Sequence, residues 1–506
     1  MQQDLVVGID SSTTATKAIA WDRHGRALAE GRATQTLSNP QPFFFEQDAG
    51  DWWASCREAL RGLLAAVDPR RIAALAIANQ RESFAVLDAD GTPLRPAILW
   101  LDERGREDVR LLEQQIGRER ILAIIGKTPD PTPALYGLSW MRRHEPALLD
   151  RAAHIAEAHG LLVHRLTGAW RTSWASADPL GVYDLAAKRY SDELLAAVGL
   201  SADRFLDALR PGTELGQVTA AAATETGLVE GTPVIAGGGD GQAAGLGVGT
   251  LGGGRCYLNL GTAAVSGVWS AEYRTDPAWR TLTSLSGEGY IYEICLRTGT
   301  FLVDWFVKGL FEGGADAYGR LEQAAAALPV GAEGLLLAPY WSGSMTPWWD
   351  QDARGYVIGL SPEHGRAHLY RAMMEGIALD EAMGLARIEA ATGEPVHEIV
   401  AIGGGSRSEL WCRIVADATG RPVVRSATAE ASALGAGICA AVGAGWYPDP
   451  ATAAEAMAGA VDARIEPDPA RNAAYRELLA IYECLYPALR EPLARLAAFR
   501  RKESVR

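Results

Sequence analysis

Apolar and polar positions fall into blocks that alternate between strand and helix spacing. Residues 5–9 and 17–21 are short apolar runs, read as buried strands, and helical spacing follows over 52–67. Residues 72–78 (IAALAIA) form a strand ending in the polar NQRES of 79–83. Strand, turn and strand follow over 84–87, DADG and 93–101, and 147–166 is expected to be mostly helical. Residues 233–236 lead into Gly237-Gly238-Gly239 and Asp240, and the stretch after Asp240 is expected to start a helix. The second half opens as the first does, with strands at 257–260 and 264–269 around Gly261-Thr262. A helix over 368–391, a strand over 399–402, a helix over 410–418 and a helical tail over 472–501 complete the pattern. Similar turns opening both halves suggest a duplicated α/β fold with a ligand between its lobes, divided near 245–254.

Composition narrows the class. At 506 residues the chain exceeds one simple core, so two or more domains are expected. The 48 basic and 62 acidic residues give a charge of −14, which argues against a nucleic-acid surface. The first residues show no basic leader before a long apolar segment, and no apolar run reaches membrane-spanning length. The six cysteines are scattered without a CxxC pair, which points to reduced, mostly buried thiols. A cytoplasmic enzyme is the expectation, with no nucleic-acid or membrane partner.

The chemistry concentrates in three bare turns after apolar strands: Asp10 to Thr14, Asn259 to Thr262 and Gly403 to Ser406. Short side chains at strand ends let backbone N–H groups approach phosphate closely. The first turn adds a carboxylate and several hydroxyls, more than a plain hairpin needs. Asp240 follows three glycines, which leave room for a substrate to reach it; a helix cap is the alternative reading. A carboxylate there suits phosphoryl transfer, in which the acceptor hydroxyl must lose a proton.

These segments resemble the FGGY carbohydrate kinases. In order they are GIDSSTTATK, ANQRESFAVLD, PLRPAILWLDER, HRLTG, GGGDGQAAGLGVG, NLGT, PYWSGSMTPWWDQDARGYVIGL, AIGGGSRSELW and ASALGAGICAAVGAG, from about Val6 to Tyr447. The resemblance implies a two-domain, actin-like ATPase fold (a ribonuclease H-like unit, duplicated) with an interdomain cleft. An N-terminal sugar-binding domain would cover 1–246 and a C-terminal nucleotide-binding domain 247–506. It implies ATP and Mg²⁺, with Ser12, Thr13, Thr14 and Lys17 at the phosphates and Asp10 and Asp240 at the metal. Gly261 and Thr262 would form the second phosphate loop, and Gly404, Gly405 and Ser406 would line the nucleoside pocket. Asp240 would be the base, and Gln80, Arg81, Glu82 and Trp100 would contact the acceptor.

The acceptor signals conflict. NQRES is similar to the NQRET of glycerol kinases, whereas the second half looks like xylulokinases, and Thr132 stands near the position of the glycerol kinases' aromatic residue. A ketopentose such as D-xylulose is favoured, with a glycerol- or erythritol-type polyol left open. Arg81 and Glu82 could also be a plain surface ion pair, and Trp100 a core residue. Trp341, Trp348 and Trp349 are expected to pack the lobes or line the cleft edge. Two positions depart from the family pattern: Ser11-Ser12 replaces a Gly-containing dipeptide, and Gly160-Leu161 stands where relatives carry an Asp-aromatic pair. The SNPQPFFFEQD segment is expected to expose three phenylalanines as a partner surface, a homodimer among the candidates. The rival classes are a non-catalytic actin-like sensor and an actin-like ATPase that needs no sugar.

Overall fold

The computed structural model describes residues 3–503 apart from 253, 312, 315 and 460. The first half builds a six-stranded sheet from β1 (Leu5–Ser11), β2 (Ala15–Trp21), β3 (Ala27–Thr34), β4 (Ile72–Asn79), β5 (Glu214–Gln217) and β6 (Pro233–Gly239). Its order is β5-β6-β4-β1-β2-β3, with β1, β4 and β6 parallel and the rest antiparallel. Period-two alternation sorts its side chains between two cores. Leu5, Val7 and Ile9 pack towards helices α1 (Ala49–Leu64) and α2 (Ala158–Thr167). Val6 on the other face packs with helix residues 433–441, far along the chain.

The second half repeats the plan. Strands β7 (Arg255–Leu260), β8 (Ala264–Ser270), β9 (Arg280–Thr283), β10 (Tyr290–Leu296), β11 (Glu398–Ile402), β12 (Val423–Ser426) and β13 (Val461–Ile465) form a sheet of order β9-β10-β8-β7-β11-β12-β13. As in the first half, an antiparallel set of strands opens the unit, here with β10 between β8 and β9, and β11 and β12 add in parallel beside its first strand. This is the duplicated, two-domain actin-like α/β fold.

The halves exchange helices. Helix α3 (Asp240–Gly247) follows the first sheet, yet Ala244 joins a core with Tyr257, Val400 and Ile402 of the second. The second half's own core is built around α4 (Arg366–Thr392) and α5 (Glu409–Thr419). Helix α6 (Ala431–Gly443) then returns to cover the first sheet. Glycines allow this crossing: a Cβ on Gly8 would lie 1.8 Å from the Ala433 carbonyl oxygen, and one on Gly435 1.9 Å from that of Ala243. Helix α7 (Pro469–Glu503) closes the described chain and buries Tyr475 and Tyr482 against the second half.

Three expectations need correction. Of 93–101 only Ala97–Ile98 is strand, because Pro93 and Pro96 lack the N–H that a ladder requires. The stretch 147–166 is interrupted by a strand, His154–Glu157, that pairs with Phe84–Leu87. The phenylalanine segment is itself a hairpin: Phe43 is 58% exposed, but Phe44 packs against Trp140 and under Arg104, and Phe45 packs on the first core. Trp341 packs against Trp305 and Trp348 against Tyr486, while the half-buried Trp349 donates to the Pro277 carbonyl. All six cysteines are free, and only Cys484 is exposed. No helix among the described residues is long and apolar enough to cross a membrane.

Candidate active site

The site residues of the first half gather at the C-terminal ends of β1, β4 and β6. β6 can carry three glycines there because its neighbours leave no space: a Cβ on Gly237 would meet the Ile77 carbonyl oxygen at 2.1 Å, and one on Gly239 the Arg81 side chain at 2.5 Å. The strand thereby delivers Asp240 to the first position of α3, where 38% of its side-chain surface stays open. Asp240 Oδ1 accepts from the Gly241 N–H at 2.8 Å and lies 3.2 Å from Arg81 Nε. Its pKa is raised by the low-dielectric cleft wall, against the pull of Arg81.

The first turn is held by side chains. Ser12 spends its hydroxyl and its N–H on the Ala15 carbonyl, at 2.9 and 3.0 Å, and so closes the hairpin. Thr13 Oγ1 accepts from Trp100 Nε1 at 2.9 Å, and its carbonyl accepts from Gln47 Nε2 at 2.6 Å. Gln80 accepts from Ser83 Oγ at 2.9 Å and donates to Gln47 at 3.1 Å. Thr14 stands exposed at the tip. Behind the turn, Asp10 pairs across the ladder with Lys17, whose Nζ reaches Glu430 at 2.5 Å just before α6. Asp10 Oδ1 is buried without a hydrogen-bond partner. Burial, then the charge of Asp240, raises the Asp10 pKa to about 7.

In the second half the turns are made of backbone. The Gly261 carbonyl accepts from the N–H and hydroxyl of Thr300, and that of Thr262 from the N–H of Gly299. Beside it a one-turn helix, Gly404–Arg407, follows Gly403, whose φ of +82° suits glycine. A Cβ on Gly405 would lie 2.8 Å from Leu260 Cβ, so the two turns are neighbours. Ser406 Oγ donates to the Gly403 carbonyl at 2.8 Å, while Gly404 and Thr262 face open space and solvent.

Arg81 and Glu82 are buried, at 8% and 4% side-chain exposure, and they do not pair with each other as a surface ion pair would. Arg81 Nη1 reaches Glu293 Oε2 at 2.9 Å, and Glu82 Oε1 receives Arg280 Nη1 at 3.0 Å. Glu82 adopts φ +63°, a left-handed conformation uncommon for a side chain of its size. Sequence reasoning passed over Arg280, Glu293 and Gln47. The signal for Glu293 was a lone carboxylate inside the apolar strand YIYEICL, since buried charge demands a partner.

A duplicated fold with bare turns at the parallel-strand ends of both sheets, and a reachable carboxylate beside them, has the groups that phosphoryl transfer needs. The model of the FGGY family of carbohydrate kinases, N-terminal domain, matches residues 5–247, and that of the C-terminal domain matches 256–444. The chain belongs to this family, whose kinases take ATP as phosphoryl donor. It is 29% identical to a xylulose kinase of Bacillus subtilis over 98% of this chain and 99% of that protein. It is 31% identical to an autoinducer-2 kinase of Klebsiella pneumoniae, covering 95% of this chain and 93% of that one. The crystal structure of xylulose kinase from Rhodospirillum rubrum superposes with a TM-score of 0.90 at 31% identity, covering 97% and 99% of the two chains.

Proposed function

We propose that this kinase transfers the γ-phosphoryl group of ATP to a hydroxyl of a ketopentose such as D-xylulose. One observation carries the mechanism: Asp240 is a carboxylate at once desolvated, held by Arg81 and open to the cleft. The acceptor hydroxyl gives its proton to Asp240 as its oxygen attacks the γ-phosphorus. The bond from that phosphorus to the bridging oxygen breaks, and ADP leaves. Thr13, Thr14, Lys17 and the Gly261–Thr262 turn contact the phosphates in this reading, with Ser12 shaping the first turn. Gly404, Gly405 and Ser406 line the nucleoside pocket. Gln80, Arg81, Glu82 and Trp100 border the acceptor.

The residues present fit a magnesium ion. Asp10 offers a buried, unpartnered oxygen, and burial and the charge of Asp240 raise its pKa to about 7, a cost of ionisation that a cation would relieve. Among the described residues no group of three or more His, Cys, Asp or Glu could hold a metal, so Asp10 and Asp240 would share it with the nucleotide phosphates. Bound there, it would offset the phosphate charge. We place the enzyme in the cytoplasm, in keeping with its unpaired cysteines.

The similarity to named xylulose kinases supports the ketopentose; the NQRES strand end keeps a polyol as the second reading. The test is ADP release with MgATP against D-xylulose, D-ribulose, L-ribulose, L-xylulose, glycerol, erythritol, D-threitol and autoinducer-2. Strong stimulation by one ketopentose is expected, and stimulation by a polyol alone replaces the first reading with the second. Asp240→Asn should lower kcat by roughly 10²–10⁴-fold while ATP binding stays within a few-fold. Turnover near the wild-type rate would remove Asp240 as the base.

A further inference from the structure

The four charged groups behind Asp240 form an open chain across the two halves, Arg81 to Glu293 to Arg280 to Glu82. Glu293, with no exposed side-chain surface, takes Arg81 Nη1 on both oxygens at 3.2 and 2.9 Å, and Arg280 Nε on Oε1 at 2.5 Å. Tyr257 O–H completes it at 2.9 Å. Arg280 in turn reaches Glu82, and Arg81 reaches Asp240. Burial alone would push the Glu293 carboxyl up, but the Arg280 and Arg81 guanidiniums hold it down at about 2. Glu293 is therefore a fixed negative charge whose hydrogen-bonding capacity is spent on protein donors. It compensates Arg81 and does not bind substrate.

Charge at the acceptor side follows directly. Two guanidinium groups face three carboxylates, so the cluster carries one surplus formal negative charge and each of its cations has a carboxylate partner. In so buried a setting a further anion beside Asp240 meets repulsion that solvent screens only weakly. We infer that Glu293 is a specificity-determining residue: by cancelling Arg81 it restricts the kinase to uncharged polyhydroxyl acceptors and rejects acid sugars of the same length. This rests on the kinase reading above and adds the electrical class of its substrate. Glu293 acts through Arg81, and so it is a positioning residue.

The experiment compares matched acceptors, ribulose and ribitol against ribonate, in ADP-release assays with the wild type, Glu293→Gln and Glu293→Asp. The wild type should favour the best neutral acceptor over ribonate by at least about 100-fold in kcat/KM. Glu293→Gln, which removes the surplus negative charge while Arg81 keeps its contact with Asp240, should raise the ribonate-to-neutral ratio at least tenfold. Glu293→Asp, which restores the charge, should keep the wild-type ratio even if it is slower. A purely structural role would lower all acceptors together and leave the ratio unmoved. That result, in a Glu293→Gln protein with wild-type ATP affinity and circular dichroism, overturns the inference. So does wild-type use of ribonate within tenfold of the neutral acceptors. Calorimetric binding of ribitol and ribonate to the wild type needs no turnover, and equal affinities overturn the inference by themselves. Stimulation by no acceptor, with ribitol still bound in preference to ribonate, counts against the kinase reading and supports the charge selectivity.

Discussion

The two turns that open the two halves occupy the same topological position, between the first two strands of each sheet, and they are built by different means. In the first, side chains fix the loop: Trp100 and Gln47 bind Thr13, and the Ser12 hydroxyl closes the hairpin. In the second, the carbonyls of Gly261 and Thr262 are fixed by Gly299 and Thr300 with little side-chain help. Side chains can be exchanged singly, so in the proposed reading the first turn would couple the phosphate end to the acceptor that Trp100 and Gln80 border. A backbone-made turn offers one geometry and almost no adjustable part. The duplication thus kept the scaffold and separated an adaptable turn from a fixed one.

The largest effect should come from breaking the fixed turn. Gly299 adopts φ −137° and ψ −114°, and a Cβ there would sit 2.5 Å from the Gly261 carbonyl oxygen. That overpacking is expected to cost about 1–3 kcal/mol in Gly299→Ala. Nucleotide affinity should fall by roughly 5- to 150-fold, with the acceptor KM little changed. Equal losses for both substrates would show that the second turn is not specific to the nucleotide.

A smaller effect should follow in the adaptable turn. Thr13→Val keeps the volume but leaves Trp100 Nε1 without its acceptor, a cost of about 0.5–1.5 kcal/mol. Acceptor kcat/KM should fall roughly 2- to 13-fold, and more than the ATP KM rises. An effect on ATP alone would sever the link drawn between this turn and the acceptor.

The smallest effect on catalysis concerns pH and stability, where the halves should behave alike. Each holds a buried acid whose pKa burial raises: Glu157 to about 7 in the first half and Glu381 to about 8 in the second. The folded state keeps a proton that the unfolded chain releases near pH 4.5. Their favourable contribution is therefore complete below that pH and is lost as pH rises towards 7 and 8. Glu381→Gln should flatten the fall by at most about 1.4 kcal/mol per pH unit between pH 5 and 8, read from urea melts. An unchanged slope would mean that Glu381 ionises in the folded protein.

Much of this architecture was legible from spacing alone. The apolar runs at 5–9, 72–78 and 399–402 reappear as β1, β4 and β11, because a short continuous apolar run suits a central strand buried on both faces. The turns were legible because small residues after a strand have few other uses. What escaped was decided by distant partners. His154–Glu157 is strand because Phe84–Leu87 lies beside it, and Phe44 is covered because Trp140 and Arg104 reach it. In the same way, Arg81 and Glu82 stand next to each other in sequence, yet their opposite charges arrive from β9 and β10 about 200 residues later.

Helix α6 carries a consequence for how the chain is made. It covers one face of the first sheet, yet its last residue is Gly443, whereas the sheet's final strand ends at Gly239. At a synthesis rate of about 5–20 residues per second, that face lacks this helix for roughly 10–40 s after its strands exist. During that interval Val6, Ile19 and Ile235 present an unfinished apolar surface on the ribosome, and the protein's yield in the cell depends on what shields it.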